Sequence, residues 1–292
     1  MPPIRPRLWG SCKINIAVFS VLQYENAAKG LTIIPASAQK MNQCFLKEKC
    51  RWFSCFGRIT CFTVMQAAVA GEKDYCMKTT VILIRHGETE WNVLHRFQGL
   101  SDIPLNDTGR QQAGFAKNGL QNITLDAIYT SPLQRAVETA EIIRGDRRIP
   151  VYPTDGLQEM GVGEWEGLLV SEIDETYPGW YDVWRTAPTK VRLKGGEPFT
   201  ETQKRAWKTF WEIVKKHEGK TVLIVSHMMC ISSILLTIAG IPLDEIWQHP
   251  IGNGALNIVE VDGDRKAVIT DWSRDDHIPE EFRLKQPFGR PK

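Results

Sequence analysis

Three short apolar runs, separated by segments of helical periodicity, constrain the fold of this chain most strongly. Residues 79–84 (TTVILI), 125–129 (LDAIY) and 221–225 (TVLIV) resemble strands that are buried on both faces of a sheet. Strands that alternate with helices form mainly parallel sheets with helices on both sides. The pattern therefore predicts an α/β fold, a three-layer α/β/α sandwich with a mainly parallel central sheet.

Local signals place helices between these strands and a hairpin after them. Asn106 is predicted to cap a helix that continues to Gly119, and Ser131 with Pro132 to begin the next helix. The remaining predicted elements are a long helix over residues 197–217, a buried helix within residues 230–241, and a hairpin of residues 256–261 and 267–270. Tryptophans spaced by four residues, at 180 and 184 and at 207 and 211, predict helix packing first and a substrate pocket second.

The chain changes character near residue 77. Residues 1–76 hold 10 Lys or Arg against 4 Asp or Glu, and six of the seven cysteines, whereas the remainder holds 26 against 30 and all six histidines. The first segment has no sustained period, and its cysteine spacings do not match those of structural zinc sites. We predict two regions: residues 1–76 as a basic extension, disordered or the product of an upstream start site, and residues 77–292 as the folded domain.

Composition restricts the cellular locations and the classes of partner that can be predicted for this chain. The apolar stretches at 14–22 and 230–241 are shorter than the roughly 20 residues of a membrane-spanning helix, and no signal-peptide cleavage site lies close to the first. The scattered charges of the extension favour a solvated tail over a surface for nucleic acid or lipid. The single cysteine of the folded region is typical of a reducing compartment. We therefore predict a cytoplasmic protein without nucleic acid or membrane partners.

Histidine and arginine side chains follow the predicted strands at the points where they end. Arg85 and His86 follow the first strand, Arg135 lies about one helical turn beyond the second, and His227 follows the third. Because the carboxyl ends of parallel strands meet at one edge, we expect these four side chains to lie together. Two guanidiniums suit a phosphate-like oxyanion, and an imidazole between them can attack phosphorus to form a phosphohistidine.

An ordered series of motifs resembles the histidine phosphatase superfamily, the phosphoglycerate-mutase-like proteins. The series begins with Arg85-His86-Gly87 and spans residues 79 to about 270. Its other members are Trp91-Asn92, Gln98-Gly99, Asp102-Ile103-Pro104-Leu105, Ser131 to Arg135, Glu159 with Trp165-Glu166-Gly167, Gly196-Glu197 and Val225-Ser226-His227. Several of these elements most resemble the bacterial α-ribazole phosphatases and broad-specificity phosphatases.

The resemblance implies a role for each matched residue. It implies that His86 is the nucleophile, that the two arginines and His227 hold the phosphoryl oxygens, and that Glu159 is the general acid and base. The predicted catalytic residues are His86, Glu159, Arg85, Arg135 and His227, and the predicted substrate-binding residues are Asn92 and Gln98. Glu164 and Glu166 are nearby carboxylates, and the choice of Glu159 rests on the family motif. The resemblance implies neither a metal ion nor another cofactor.

The reaction predicted from these features is hydrolysis of a small sugar- or nucleotide-like phosphomonoester, with α-ribazole phosphate as one candidate. The stretch between Glu159 and His227 is short for the insertions that mutases use to enclose phosphoglycerate. Phosphoglycerate mutase is the alternative enzyme, and a non-catalytic phospho-ligand binding module is the alternative of another class. Met228, Met229 and Cys230 stand where many relatives carry glycines, so the substrate is left open. The oligomeric state is open as well, with a homodimer as one candidate.

Overall fold

The structure, a computed structural model, describes residues 78–283 and two strands of the preceding segment. These strands, β1 (Ser20–Tyr24) and β2 (Leu31–Pro35), pair antiparallel. They belong to a unit of residues 1–71, and residues 72–292 form a second unit. Apart from these two strands, the extension predicted over residues 1–76 lies outside the described residues, so the prediction for it stays a prediction.

A six-stranded mixed sheet forms the centre of the second unit. Its strands are β3 (Thr79–Arg85), β4 (Ala127–Thr130), β5 (Val151–Pro153), β6 (Thr221–Ser226), β7 (Leu256–Val261) and β8 (Ala267–Arg274). Their order is β5-β4-β6-β3-β7-β8, in which the first four strands are parallel. The β7–β8 hairpin continues the sheet antiparallel from β3. The predicted mainly parallel sheet and its closing hairpin are confirmed.

Helices cover both faces of this sheet, and others lie beside it or in its loops. They are α1 (Glu90–Val93), α2 (Asp107–Gly119), α3 (Gln134–Arg144), α4 (Val170–Thr176), α5 (Trp180–Thr186), α6 (Phe199–Lys216) and α7 (Met228–Ala239). Alternate residues of β3 point to opposite faces: Val81 and Leu83 pack with α6 and α7, while Ile82 and Ile84 pack with α2 and α3. The three-layer α/β/α prediction is confirmed. No helix in the described part of the chain is long and apolar enough to cross a bilayer.

The stretch between β5 and α6 builds a third apolar cluster beside the sheet. The only helical signal predicted in this stretch was the spacing of Trp180 and Trp184, and the structure places α4 and α5 in it, whose Ile173 and Trp184 are buried. Trp184 meets the rings of Phe97 and Trp165 at centroid distances of 6.0 and 6.1 Å. These short helices depend on burial of their apolar residues, aliphatic in α4 and aromatic in α5, because helices of seven residues are not stable alone.

The start of α3 differs from the prediction that Ser131 and Pro132 begin this helix. The helix begins at Gln134, and the Ser131 hydroxyl accepts only a 3.3 Å hydrogen bond from the Leu133 amide. The first helical amide, that of Gln134, instead donates to the carboxylate of Asp102 over 2.6 Å. A side chain from a distant loop therefore satisfies the helix terminus that local residues were expected to cap.

Gly109 in α2 permits close contact between two backbone segments. A Cβ atom at this position would overlap the carbonyl oxygen of Glu88, and one at Gly87 would overlap the carbonyl oxygen of Gly109. We expect Gly109→Ala to lower the free energy of unfolding by about 1–3 kcal/mol, because the loop after His86 must move. Urea denaturation measures this change.

Gly114 in the same helix is the matched control. A Cβ atom there would meet nothing within 4 Å. Gly114→Ala should therefore leave stability unchanged or raise it by up to about 1 kcal/mol, since alanine favours the helix. Equal destabilisation by both substitutions would show that the close contact at Gly109 is unimportant.

Candidate active site

Neighbouring strand ends bring His86 and His227 together. β3 and β6 are adjacent and parallel, with Arg85 in register with Ser226. The amide of His86 continues this pairing by donating to the Ser226 carbonyl over 2.9 Å. The next residue on each strand is a histidine, and the two imidazole rings lie with their centroids 5.0 Å apart.

Hydrogen bonding orients the imidazole of His86. The ring is 3% exposed, and Nδ1 lies 2.7 Å from the carbonyl oxygen of Gly87. Because a carbonyl can only accept, Nδ1 carries the proton in the neutral ring and Nε2 keeps its lone pair. Burial, and then the charges of Arg135 and Arg85, hold the pKa of His86 well below its usual value. The ring is thus a neutral base at neutral pH, with a nucleophilic nitrogen.

Two buried guanidiniums stand beside this ring. Arg85 donates to the carbonyl of Ile251 over 2.7 Å, and Arg135 donates to those of Ser101 and Gly99 over 2.7 and 2.9 Å. Each keeps a buried Nε that bonds to no group among the described residues. Burial lowers the pKa of each arginine to about 10, so both remain charged at neutral pH. The two guanidiniums therefore place positive charge beside His86, and each has an Nε–H donor that bonds to no described group.

The ring of His227 lies beside that of His86, although His227 is not among the residues that line the cavity. It is fully buried at the start of α7, and neither ring nitrogen bonds to a group in the described part of the chain. Burial, followed by the charges of Arg135 and the neighbouring His86, lowers the pKa of His227 well below its usual value. A buried polar ring is costly without a hydrogen bond, so the position favours a bound ligand with acceptor or donor oxygens.

The carboxyl group of Glu159 reaches the site from the loop after β5. Its two oxygens accept from the amide of Met160 over 2.8 Å and from the amide of Met229, in the first turn of α7, over 3.3 Å. Burial raises the pKa of Glu159 above its usual value, although both amides and the nearby arginines oppose the rise. A carboxyl group with a raised pKa can carry a proton at mildly acidic pH.

Of the three carboxylates considered from the sequence, only Glu159 lines the cavity. Glu166 accepts from the amide of Leu100 over 3.0 Å and from the hydroxyl of Ser101 over 2.6 Å. It therefore holds the loop that follows Gln98. Glu164 accepts a 3.5 Å hydrogen bond from the amide of Lys194, away from the cavity.

The two predicted substrate-binding amides both line the cavity, in different ways. The side-chain oxygen of Asn92 accepts from the amide of Thr89 over 3.1 Å and from the amide group of Asn253 over 3.3 Å, which leaves Nδ2 as the donor for a ligand. The side-chain oxygen of Gln98 is buried and bonds to no described group. The structure thus brings all seven predicted site residues to one edge of the sheet.

Sequence reasoning missed Asn253, which supports the site from the loop before β7. Its side-chain amide donates to the carbonyl of His86 over 3.0 Å, in addition to its contact with Asn92. The next amide, that of Gly254, donates to the carbonyl of Arg85 over 3.0 Å. The only sequence signal was a Gly-Asn-Gly turn ahead of the hairpin, which by itself indicates a loop.

The cavity has a volume of about 50 Å³, and its wall beyond the charged residues is mainly apolar. The apolar lining residues are Phe97, Met160, Val162, Trp184, Met228, Met229 and Trp247. Trp184, for which helix packing was the first prediction, both packs and lines the cavity. A larger cavity of about 530 Å³ lies at the other end of the strands, near Thr79 and Gly219, and contains none of the predicted site residues. No group of described residues has the three or more His, Cys, Asp or Glu side chains that a metal ion would need.

Comparison with known proteins agrees with this geometry. Residues 81–273 match the model of the histidine phosphatase superfamily (branch 1), and so cover all seven site residues. The chain belongs to this superfamily. It is 33% identical to phosphoserine phosphatase 1 of Hydrogenobacter thermophilus over 189 residues, which are 65% of this chain and 90% of the relative.

Two further comparisons support the family assignment. The adenosylcobalamin/alpha-ribazole phosphatase of Escherichia coli is 29% identical over 61% of this chain and 88% of its own length. The solved structure of Bacillus stearothermophilus YhfR is 40% identical, with a TM-score of 0.67, over 69% of this chain and all of that chain. The fold of this histidine phosphatase family member is therefore that of its superfamily, and its named relatives include phosphatases for different phosphomonoesters.

Proposed function

We propose that the protein is a metal-independent phosphomonoesterase that works through a phosphohistidine intermediate on His86. The observation that carries the proposal is the neutral imidazole of His86 beside two buried guanidiniums, with the carboxyl group of Glu159 in the same cavity. A nucleophile, a cationic oxyanion site and a proton donor are the three parts that phosphoryl transfer requires.

The proposed reaction assigns a step to each of these groups. Nε2 of His86 attacks phosphorus, a P–N bond forms and the P–O ester bond breaks, while Glu159 donates its proton to the departing oxygen. Arg85, Arg135 and His227 stabilise the charge on the three phosphoryl oxygens. Water then attacks phosphorus, the P–N bond breaks, and Glu159 recovers a proton from the water. The products are the alcohol and inorganic phosphate.

The apolar wall favours substrates whose leaving group carries a flat or apolar surface. Phe97, Trp184 and Trp247 offer aromatic surface, and Met228 and Met229 offer flexible thioethers that fit irregular shapes. We propose a nucleotide-like or aryl phosphate as the substrate class, which includes α-ribazole phosphate. We further propose a cytoplasmic protein whose partner is this small phosphorylated metabolite.

Release of p-nitrophenol from p-nitrophenyl phosphate in the presence of EDTA tests this function. We expect turnover that EDTA does not reduce, and a higher kcat/KM for aryl and nucleotide phosphates than for phosphoserine. A mutase would instead interconvert 2- and 3-phosphoglycerate with a bisphosphate primer. A binding module would bind phosphate esters without turnover on any member of the panel, and either result would refute the proposal.

The dependence of kcat/KM on pH should be bell-shaped for an alkyl phosphate, whose leaving oxygen needs a proton. His86 attacks only when neutral, and its pKa lies below the usual 6.5, so the acid limb falls below that pH. Glu159 donates only when protonated, and its pKa lies above the usual 4.5, so activity falls as the pH rises through that raised pKa. Glu159→Gln should remove the basic limb and keep the acid limb. Because titration of the substrate is common to both enzymes, it cancels in the ratio of their kcat/KM values, and a wild-type to variant ratio that stays constant as the pH rises would contradict the assignment.

A further inference from the structure

The loop that carries Glu159 is held by its carbonyl groups. The carbonyl of Leu157 accepts from the hydroxyl of Ser226 over 2.7 Å, and that of Gly161 accepts from the amide of Glu197 over 2.7 Å. These contacts tie the two ends of the segment to β6 and to the start of α6. Between them, the carbonyl groups of Gln158 and Glu159 accept hydrogen bonds from the side chain of Arg205.

Arg205 of α6 binds three carbonyl oxygens of this loop. Its Nη1 donates to Gln158 over 2.7 Å and to Gly156 over 3.2 Å, and its Nη2 donates to the carbonyl of Glu159 over 2.8 Å. A guanidinium can do this because its donors lie in one rigid plane. The side chain lines neither the phosphate site nor the apolar wall, so it contacts the backbone of the proposed acid and not the substrate.

Glu197 fixes the other side of the same guanidinium. Its two carboxylate oxygens accept from Nε over 2.7 Å and from Nη2 over 2.8 Å, and the second oxygen also accepts from the hydroxyl of Thr202 over 2.8 Å. Both side chains are 25% exposed. Burial disfavours the charge of Glu197, but its bonds with Arg205 outweigh this and lower the pKa of Glu197. The pair is therefore ionised and geometrically fixed at neutral pH.

We propose that the Arg205–Glu197 pair is a positioning device for the general acid, which sets the distance between the Glu159 carboxyl group and the leaving oxygen. The proposal rests on the function proposed above. Proton transfer requires heavy atoms within about 2.6–3.2 Å, so a shift of the loop by less than 1 Å weakens the donor without altering the phosphate site. Arg205 and Glu197 thus act on catalysis through another residue.

Comparison of substrates with different leaving groups distinguishes this positioning role from a general structural role. An alkoxide needs the proton of the acid, whereas p-nitrophenolate departs without it. We expect Arg205→Met to reduce kcat/KM by about 10- to 100-fold for an alkyl phosphate, and by less than about 3-fold for p-nitrophenyl phosphate. The value of kcat/KM reports only the steps up to phosphorylation of His86, so slow hydrolysis of the intermediate does not mask the difference. Equal losses for both substrates would overturn the proposal.

Combination with Glu159→Gln provides a second criterion. If Arg205 acts through Glu159, adding Arg205→Met to Glu159→Gln should reduce kcat/KM for the alkyl phosphate by less than about 2-fold further, because interacting residues are not additive. Lys204→Met is the control. It removes the neighbouring charge of α6, which pairs with the exposed Glu201, and should leave kcat/KM unchanged for both substrates. Full additivity in the double variant would contradict the proposal.

Two further measurements keep the proposal testable if Arg205→Met does not fold or if the wild-type protein has no phosphatase activity. Should Arg205→Met not fold, Glu197→Gln tests the same claim, with the same dependence on the leaving group at a smaller size. The amide of Met229 bonds to the Glu159 carboxylate, so its hydrogen exchange reports the position of that group without turnover. Faster exchange in Arg205→Met would support positioning even if the wild-type protein hydrolysed no substrate, and unchanged exchange would refute it.

Discussion

His86→Ala is expected to lower kcat/KM for every phosphomonoester by about 10⁴-fold or more, because the variant has no nitrogen to accept the phosphoryl group. The side chain contributes one hydrogen bond to the protein, to the adjacent carbonyl of Gly87, so the variant should fold. Rapid quench with a ³²P-labelled substrate should trap acid-labile phosphate on the wild-type protein and none on the variant.

His217→Ala is the control for this experiment. His217 also contacts a polar group, the hydroxyl of Tyr129 over 2.9 Å, but it lies at the opposite end of the strands. Its removal should leave kcat/KM unchanged. Hydrolysis by the His86 variant at the wild-type rate, with no label on the wild-type protein, would refute covalent catalysis.

Arg135→Met should have the second largest effect, a loss of about 10²- to 10³-fold in kcat/KM. Arg135 is fully buried, so its charge acts on the phosphoryl group through protein and not through water. Inhibition by orthovanadate, which mimics the five-coordinate transition state, should weaken by a similar factor, since a lost transition-state contact affects both.

Arg135→Lys separates charge from geometry. Lysine keeps a positive charge but cannot donate to Gly99 and Ser101 while also presenting a fork to phosphate. We expect activity between those of the wild-type and Met variants. Methionine leaves two buried carbonyl groups without their donor and can destabilise the protein. A urea denaturation curve for each variant therefore checks that it is folded. A folded Met variant within about 3-fold of wild-type activity would exclude Arg135 from phosphoryl binding.

Much of the fold was predictable because its strands are buried on both faces. Residues 79–84 and 221–225 admit no polar face, so their apolar run and their length identified them as central parallel strands, observed as β3 and β6. The middle of the domain was not predictable in this way. α4 and α5 are seven residues each, and their buried residues pack in one cluster with side chains from other segments of the chain.

The sequence by itself determined which chemical groups the site holds, because Arg85, His86 and His227 stand next to strand ends and parallel strands end at a common edge. Only the tertiary structure determined the distances between those groups and the hydrogen bonds that hold them. It brought the rings of His86 and His227 within 5.0 Å of each other, placed Glu159 in the cavity and Glu166 outside its lining, and tied the loop of Glu159 to Arg205 across 46 residues of chain. Contacts and burial between distant segments depend on three-dimensional distance. Local periodicity and motif spacing carry no information about that distance, so the sequence could not predict these contacts.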